Sequence, residues 1–178
     1  VRKNDIVLRA GKMIEPQDIA VMAAVGYTSP LVRKKPLVGV ISTGSEIVEP
    51  DQSPGLSKIR NSNAAQLAAQ VERAGAKGKY YGIASDNEDE TLLIVKSALN
   101  ECDIVLITGG VSMGDFDFVP AVLERAGVNI LFTRVAVQPG KPTTFGQLDK
   151  RLVFGLPGNP VSAFMQFELL VRPLICRM

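Results

Sequence analysis

Residues Cys102 to Phe118 read CDIVLITGGVSMGDFDF. Ile104 to Ile107 is a continuous apolar run that breaks at Thr108-Gly109-Gly110, and Gly114, Asp115 and Asp117 follow. A short apolar run bounded by turn residues is the pattern of a strand buried on both faces, as in a parallel sheet. Glycines directly behind such a strand let the backbone approach a ligand with no Cβ in the way. A helix opening just after them turns its free N–H groups toward the same loop and favours an anion there. Two carboxylates beside an anion-favouring loop make sense with a divalent cation. The stretch therefore predicts a site for a phosphorylated small molecule with Mg²⁺, at the carboxyl ends of a parallel sheet.

The flanking sequence repeats the alternation. Upstream, Leu37–Ser42 is an apolar strand that ends in Thr43-Gly44-Ser45-Glu46. A loop rich in proline and glycine follows, Glu49 to Leu56. A helix from Asn61 or Ser62 to about Ala74 should then turn Ala65, Leu67, Ala68 and Val71 inward. Lys79–Ala84 is the next strand, ending at Ser85-Asp86-Asn87. Asp89 or Glu90 opens a helix through Leu99, apolar at Leu92, Leu93, Val95, Ala98 and Leu99. Downstream, a helix is expected over Phe118–Ala126 and a long or bent strand over Asn129–Val137. A hairpin should pair Thr143–Gly146 with Leu152–Phe154, and a last helix should run from Pro160 to Pro173. This order implies an α/β fold: a three-layer, open, mostly parallel sheet with helices on both faces. Such sheets bind ligands outside the carboxyl ends of their strands. Residues 1–35 look different, with an extended run at Asp5–Leu8 and a helix over Pro16–Val25 whose inward face is Ile19, Met22 and Ala23. A domain boundary is placed near Lys35, giving a short appendage over 1–35 and the main domain over 36–178.

Composition narrows the chemistry. The 178 residues are 46% hydrophobic and carry a net charge of +2, enough to fill a core and too mild a charge for a nucleic-acid partner. There is no histidine, so His-based triads, bases and metal ligands are excluded and acid–base work falls to Asp, Glu, Lys, Tyr or water. Cys102 and Cys176 lack a CxxC partner and read as two buried free thiols of a cytoplasmic protein. No apolar run is long enough to span a bilayer, so no membrane partner is expected. The opening VRKNDIVLRAG starts mid-pattern, as in a fragment of a longer chain.

Glu46, Asp86, Asp115 and Asp117 are the acids near strand ends or glycine loops. Hard oxygen ligands suit Mg²⁺, which binds through one or two carboxylates plus phosphate. Each acid alone also suits a helix cap or a solvated surface. Two rigid loops, Pro139-Gly140-Lys141-Pro142 and Pro157-Gly158-Asn159-Pro160, read as the wall of a pocket, with Lys141 offering a cation to a phosphate or oxyanion. The glycine loop follows neither the Walker A nor the Rossmann pattern. The residues themselves thus lead to an anion-plus-metal site in an α/β fold and no further.

The combination TGGVSMGDFD, STGSE upstream, and PGKP and LPGNPVSAF downstream closely resembles the molybdopterin-binding domain of the MoeA/gephyrin-E family. The resemblance covers Pro36 to Met178, and residues 1–35 are similar to what precedes that domain in the family. It implies molybdenum insertase activity in molybdenum cofactor biosynthesis: molybdate is inserted into adenylated molybdopterin, supplied by a MogA-type partner, and AMP is released with Mg²⁺ assisting. It further implies a cytoplasmic homodimer in the full-length protein. By motif match, Glu46, Asp86 and Asp117 are the acidic residues for metal and phosphate, and Glu46, Asp117 and Lys141 carry the catalysis. Thr43, Gly44, Thr108, Gly109, Gly110, Ser112 and Gly114, with Gly158 and Asn159, would cradle the pterin ligand. Pro139, Gly140 and Pro142 would line the molybdate side with Lys141. Ser45 stands where the family often has Asp, and Gln138 where it often has Lys, which removes a positive charge beside the oxyanion side. Two other activities remain open by resemblance: a MogA-like molybdopterin adenylyltransferase acting with ATP, and a non-catalytic scaffold of the gephyrin type.

Overall fold

The computed structural model describes residue 2 and residues 5–110 and 118–178. The chain forms two compact units, Val1–Lys34 and Lys35–Met178. In the first, α1 (Pro16–Ala24) starts with proline at its first turn, and Asp18 accepts the Glu15 N–H at 3.0 Å. The Asp5–Leu8 run expected to be extended is not a strand. Met22 is buried, whereas Ile19, expected on the same inward face, is 57% exposed.

The second unit is built on a six-stranded sheet. Its strands are β1 (Leu37–Thr43), β4 (Lys77–Ala84), β5 (Ile104–Thr108), β6 (Asn129–Arg134), β7 (Pro142–Leu148) and β8 (Arg151–Leu156), in the order β4-β1-β5-β8-β7-β6. β4, β1, β5 and β8 are parallel, and the β7–β8 hairpin and β6 add antiparallel pairs. The mostly parallel architecture inferred from the alternating pattern is thus the observed one. Two short strands missing from that reading, β2 (Ile47–Val48) and β3 (Ile59–Arg60), pair outside the main sheet. Each is only two residues long, too short to leave a periodic signal.

Side chains alternate across the central strands and build a core on each face. Val38, Val40, Ile104, Leu106, Phe154 and Leu156 pack with Leu67 and Val71 of α2 (Ser62–Arg73) and with Ala163 of α5 (Pro160–Gln166). Ile41, Val105, Ile107 and Val153 pack on the other face with Val95, Ala98 and Leu99 of α3 (Glu88–Glu101) and with Val122 and Leu123 of α4 (Val119–Arg125). β5 is buried throughout, as its unbroken apolar run required.

Several local expectations need correction. α2 buries Asn63, Ala64 and Gln70, not Ala65, beside Leu67 and Val71. α3 is capped by Asn87, whose side chain accepts from the Asp89 and Glu90 N–H groups, and Leu93 is 70% exposed. β6 stops at Arg134, three residues short of the expected end. The last helix does not stop at Pro173. It passes through a π-helical turn over Phe167–Val171 and resumes as α6 (Arg172–Ile175) with proline in its first turn. Proline lacks an N–H and its ring clashes with the carbonyl four residues back, and a widened turn relieves both conflicts. Cys102 is buried but Cys176, just past that helix, is exposed.

Candidate functional site

The strand order puts the polar turns side by side. Thr43–Glu46 leaves the carboxyl end of β1, Ser85–Asn87 that of β4 and Thr108–Gly110 that of β5, and these three strands are neighbours. The Pro157–Pro160 loop leaves the carboxyl end of β8, next to β5. β7 runs antiparallel to β8, so its start at Pro142 brings the Pro139–Pro142 loop to the same edge. Ser112, Gly114, Asp115 and Asp117 lie outside the described residues.

The first two turns are tied directly. The Ser45 N–H donates to Asp86 Oδ2 at 3.0 Å, and Lys58 Nζ donates to the Ser45 carbonyl. The Glu46 carboxylate lies back against Gly44, where a Cβ would come within 2.4 Å of Oε2. Glu46 and Asp86 therefore occupy neighbouring turns, both on exposed residues. Two carboxylates are the donor chemistry of a Mg²⁺ that completes its shell with phosphate and water. Among the described residues no group of three His, Cys, Asp or Glu side chains gathers to hold a metal by itself.

The glycine loop presses against β1. Gly109 has φ +93°, and a Cβ there would lie 2.4 Å from the Thr43 carbonyl oxygen and 3.0 Å from its Oγ1. Only glycine allows this approach without displacing backbone. The Gly109 N–H donates to the Leu156 carbonyl at 3.1 Å, which fastens the loop to β8.

Asn63, which the sequence reading did not single out, joins the loops. Its Nδ2 donates to Thr108 Oγ1 at 2.8 Å and to the Gly158 carbonyl at 2.9 Å. Thr108 Oγ1 in turn donates to the Pro157 carbonyl at 3.1 Å. The Thr108 hydroxyl is thus committed within the protein. The Asn63 Oδ1 and Thr43 Oγ1 atoms are buried with no partner among the described residues. No local signal marks Asn63: it lies in the first turn of α2, next to the capping Asn61. Asn61 Oδ1 accepts from the Ala64 N–H at 3.2 Å and from Ser42 Oγ at 3.1 Å, and its Nδ2 donates to the Tyr80 hydroxyl at 2.8 Å. The Tyr80 hydroxyl donates in turn to Glu49 Oε1 at 2.9 Å. Burial, and then the Glu49 carboxylate, push the Tyr80 hydroxyl above the usual phenol range, so it stays a donor.

The Pro139–Pro142 loop is held separately. Its successive carbonyls accept from Gln166 Nε2 at 3.4 Å, from Thr143 Oγ1 at 2.8 Å and from the Val135 N–H at 2.9 Å. Gly140, at φ +109°, packs against Gln166, whose Nε2 would sit 2.4 Å from a Cβ. Lys141 is exposed on this pinned backbone. Asn159 caps α5, accepting from the Val161 and Ser162 N–H groups at 3.0 and 3.2 Å, so its side-chain oxygen is already engaged.

The chain as a whole is similar to known proteins. A family model described as a probable molybdopterin binding domain matches residues 39–177. The chain belongs to this molybdopterin-binding-domain family. Members of the family similar to it include the molybdopterin molybdenumtransferase of Bacillus subtilis, 42% identical over 98% of this chain and 40% of that protein. The crystal structure of the molybdopterin biosynthesis MoeA protein of Pyrococcus horikoshii superposes with a TM-score of 0.80 at 37% identity, covering 100% of this chain and 42% of that one. The CinA protein of Thermoplasma acidophilum, at 16% identity and TM-score 0.61 over 78% of this chain and 97% of that one, shares the fold. The chain spans about two fifths of the length of the transferase relatives it matches. Among the described residues no helix is long and apolar enough to cross a membrane.

Proposed function

We propose that the chain is the ligand-binding domain of a molybdenum insertase. It holds adenylated molybdopterin at the carboxyl edge of the sheet, and the protein it belongs to places molybdenum on the pterin dithiolene while AMP leaves from the pterin's phosphate. The observation that carries this reading is the single edge where two glycine-bearing turns, two carboxylates and the Lys141 loop lie together, in a chain of the molybdopterin-binding family. Glu46 and Asp86, with Asp117, would hold Mg²⁺, which supplies positive charge to the phosphate when bound. Lys141, stiffly mounted, draws molybdate and offsets charge on its oxygens. The glycine turns admit the ligand by leaving no Cβ in its way. No protein nucleophile is needed because a molybdate oxygen can attack the phosphate, which agrees with a chain lacking histidine. In this reading the adenylated substrate comes from a MogA-type partner, the full-length protein is a homodimer, and the work is done in the cytoplasm.

The test is a titration of the chain with adenylated molybdopterin and with molybdate, followed by assay of free AMP. Both ligands should bind, and Lys141→Ala should weaken molybdate by about tenfold, the worth of one hydrogen bond to a charged group. AMP released on adding molybdate marks insertion. Consumption of ATP with free molybdopterin would instead mark an adenylyltransferase and overturn the proposal.

A further inference from the structure

We infer that Asn63 is a positioning residue for the pterin–nucleotide half of the site, an inference that rests on the insertase reading. One planar amide spends both of its hydrogens on two different loops, Thr108 at the root of the glycine turn and Gly158 in the Pro157–Pro160 loop. These partners are 45 and 95 residues away in sequence. The same two loops meet directly where a Cβ on Gly158 would lie 3.7 Å from the Gly109 Cα. Asn63 thus fixes how the two abutting turns sit against each other at the edge where the ligand binds.

Neither the cap nor the buried face of α2 requires an amide at this position. α2 is already capped by Asn61 and anchored below by Leu67 and Val71. Asn63 is 8% exposed, and its Oδ1 is buried with no partner among the described residues. A stranded buried acceptor is a cost that an apolar residue of similar size would avoid. Position 63 therefore joins two ligand-facing turns through its amide hydrogens while its oxygen stays unpaired among the described residues.

The hydrogen bonds that pin the Lys141 loop come from elsewhere. Its three carbonyls are held by Gln166, Thr143 and Val135. Loss of the Asn63 amide should consequently loosen one half of the edge and leave the other in place. A purely structural residue would not produce such a split.

The experiment is calorimetric titration of wild type, Asn63→Ala and Thr108→Val with adenylated molybdopterin and, separately, with molybdate, alongside denaturant unfolding. Thr108→Val removes the hydroxyl that receives the Asn63 bond while keeping the side-chain shape, and it carries the test should Asn63→Ala not fold. Both variants should raise the Kd for adenylated molybdopterin about tenfold or more, from loss of two buried bonds, with the Kd for molybdate unchanged. The double variant should lose little more than either single one, because both cut the same connection. Equal losses for both ligands, or no loss for either, would reduce Asn63 to a fold residue and overturn the inference while leaving the insertase reading intact. A wild-type chain that binds neither ligand would overturn that reading, and the inference with it.

Discussion

Replacing Gly109 by alanine isolates the close approach on which the glycine turn depends. Two penalties apply. A side chain held in the left-handed region costs about 1–2 kcal/mol. The new Cβ would also lie 2.4 Å from the Thr43 carbonyl oxygen, which is backbone of β1 and cannot swing away. Forcing such an overlap into a packed region adds about 1–3 kcal/mol. Gly75 provides the control. It shares a φ of +93° with Gly109, but a Cβ added there would meet nothing within 4 Å, so Gly75→Ala should incur the conformational cost alone. The gain from a stiffer unfolded chain is common to both substitutions and cancels in the comparison. Urea unfolding of the three proteins, with equal slopes, should therefore place Gly109→Ala about 1–3 kcal/mol below Gly75→Ala. Equal destabilisation would show that the turn relaxes away from Thr43 at little cost, and the reasoning about this contact would be wrong.

Gln166→Met keeps length and bulk but removes the amide whose Oε1 is buried without a partner among the described residues. Stability should change by less than about 1 kcal/mol, since a stranded acceptor goes together with one long hydrogen bond. The Lys141 loop loses its tie to α5, so molybdate affinity should fall while that for adenylated molybdopterin holds; an unchanged molybdate Kd counts against the brace. Glu168 gives a pH prediction. Burial raises its pKa, but hydrogen bonds from Gln70 and Arg73 and the charges of Arg73 and Arg172 outweigh it and hold the carboxyl below its ordinary value. A depressed folded pKa contributes stability that is present above the unfolded value, about 4.3, and is lost as pH falls through the lower folded value. Wild type should exceed Glu168→Gln in stability at neutral pH, with the gap closing below about pH 4. A gap that persists there would rule out the charge as its source.

The central strands were readable because each is an unbroken apolar run, and burial on both faces leaves no other pattern for Ile104–Thr108. Helix ends were readable where a glycine or proline stood at them, as at Gly75, Gly127 and Pro160. The passage through Pro173 was not, because proline ordinarily reads as a helix stop, and here a π-helical turn ahead of it lets the helix continue. Candidate residues with a charge or a glycine signature stood out in the motifs. Asn63 and Gln166 did not, since a neutral amide acquires its role only from the loops folded against it.

Periodicity and turn chemistry act between near neighbours in the chain, so the sequence alone determined the strands of the main sheet, most helices, the layered α/β class and the loops rich in glycine and proline. Which turns share an edge is a matter of strand order, and bonds spanning 41 to 95 residues settle it. Tertiary packing alone decided that Asp86 binds the Ser45 N–H, that the Thr108 hydroxyl is turned inward, and that two buried amides hold separate halves of the edge. Such contacts form only when distant segments meet, and no local pattern of residues encodes them.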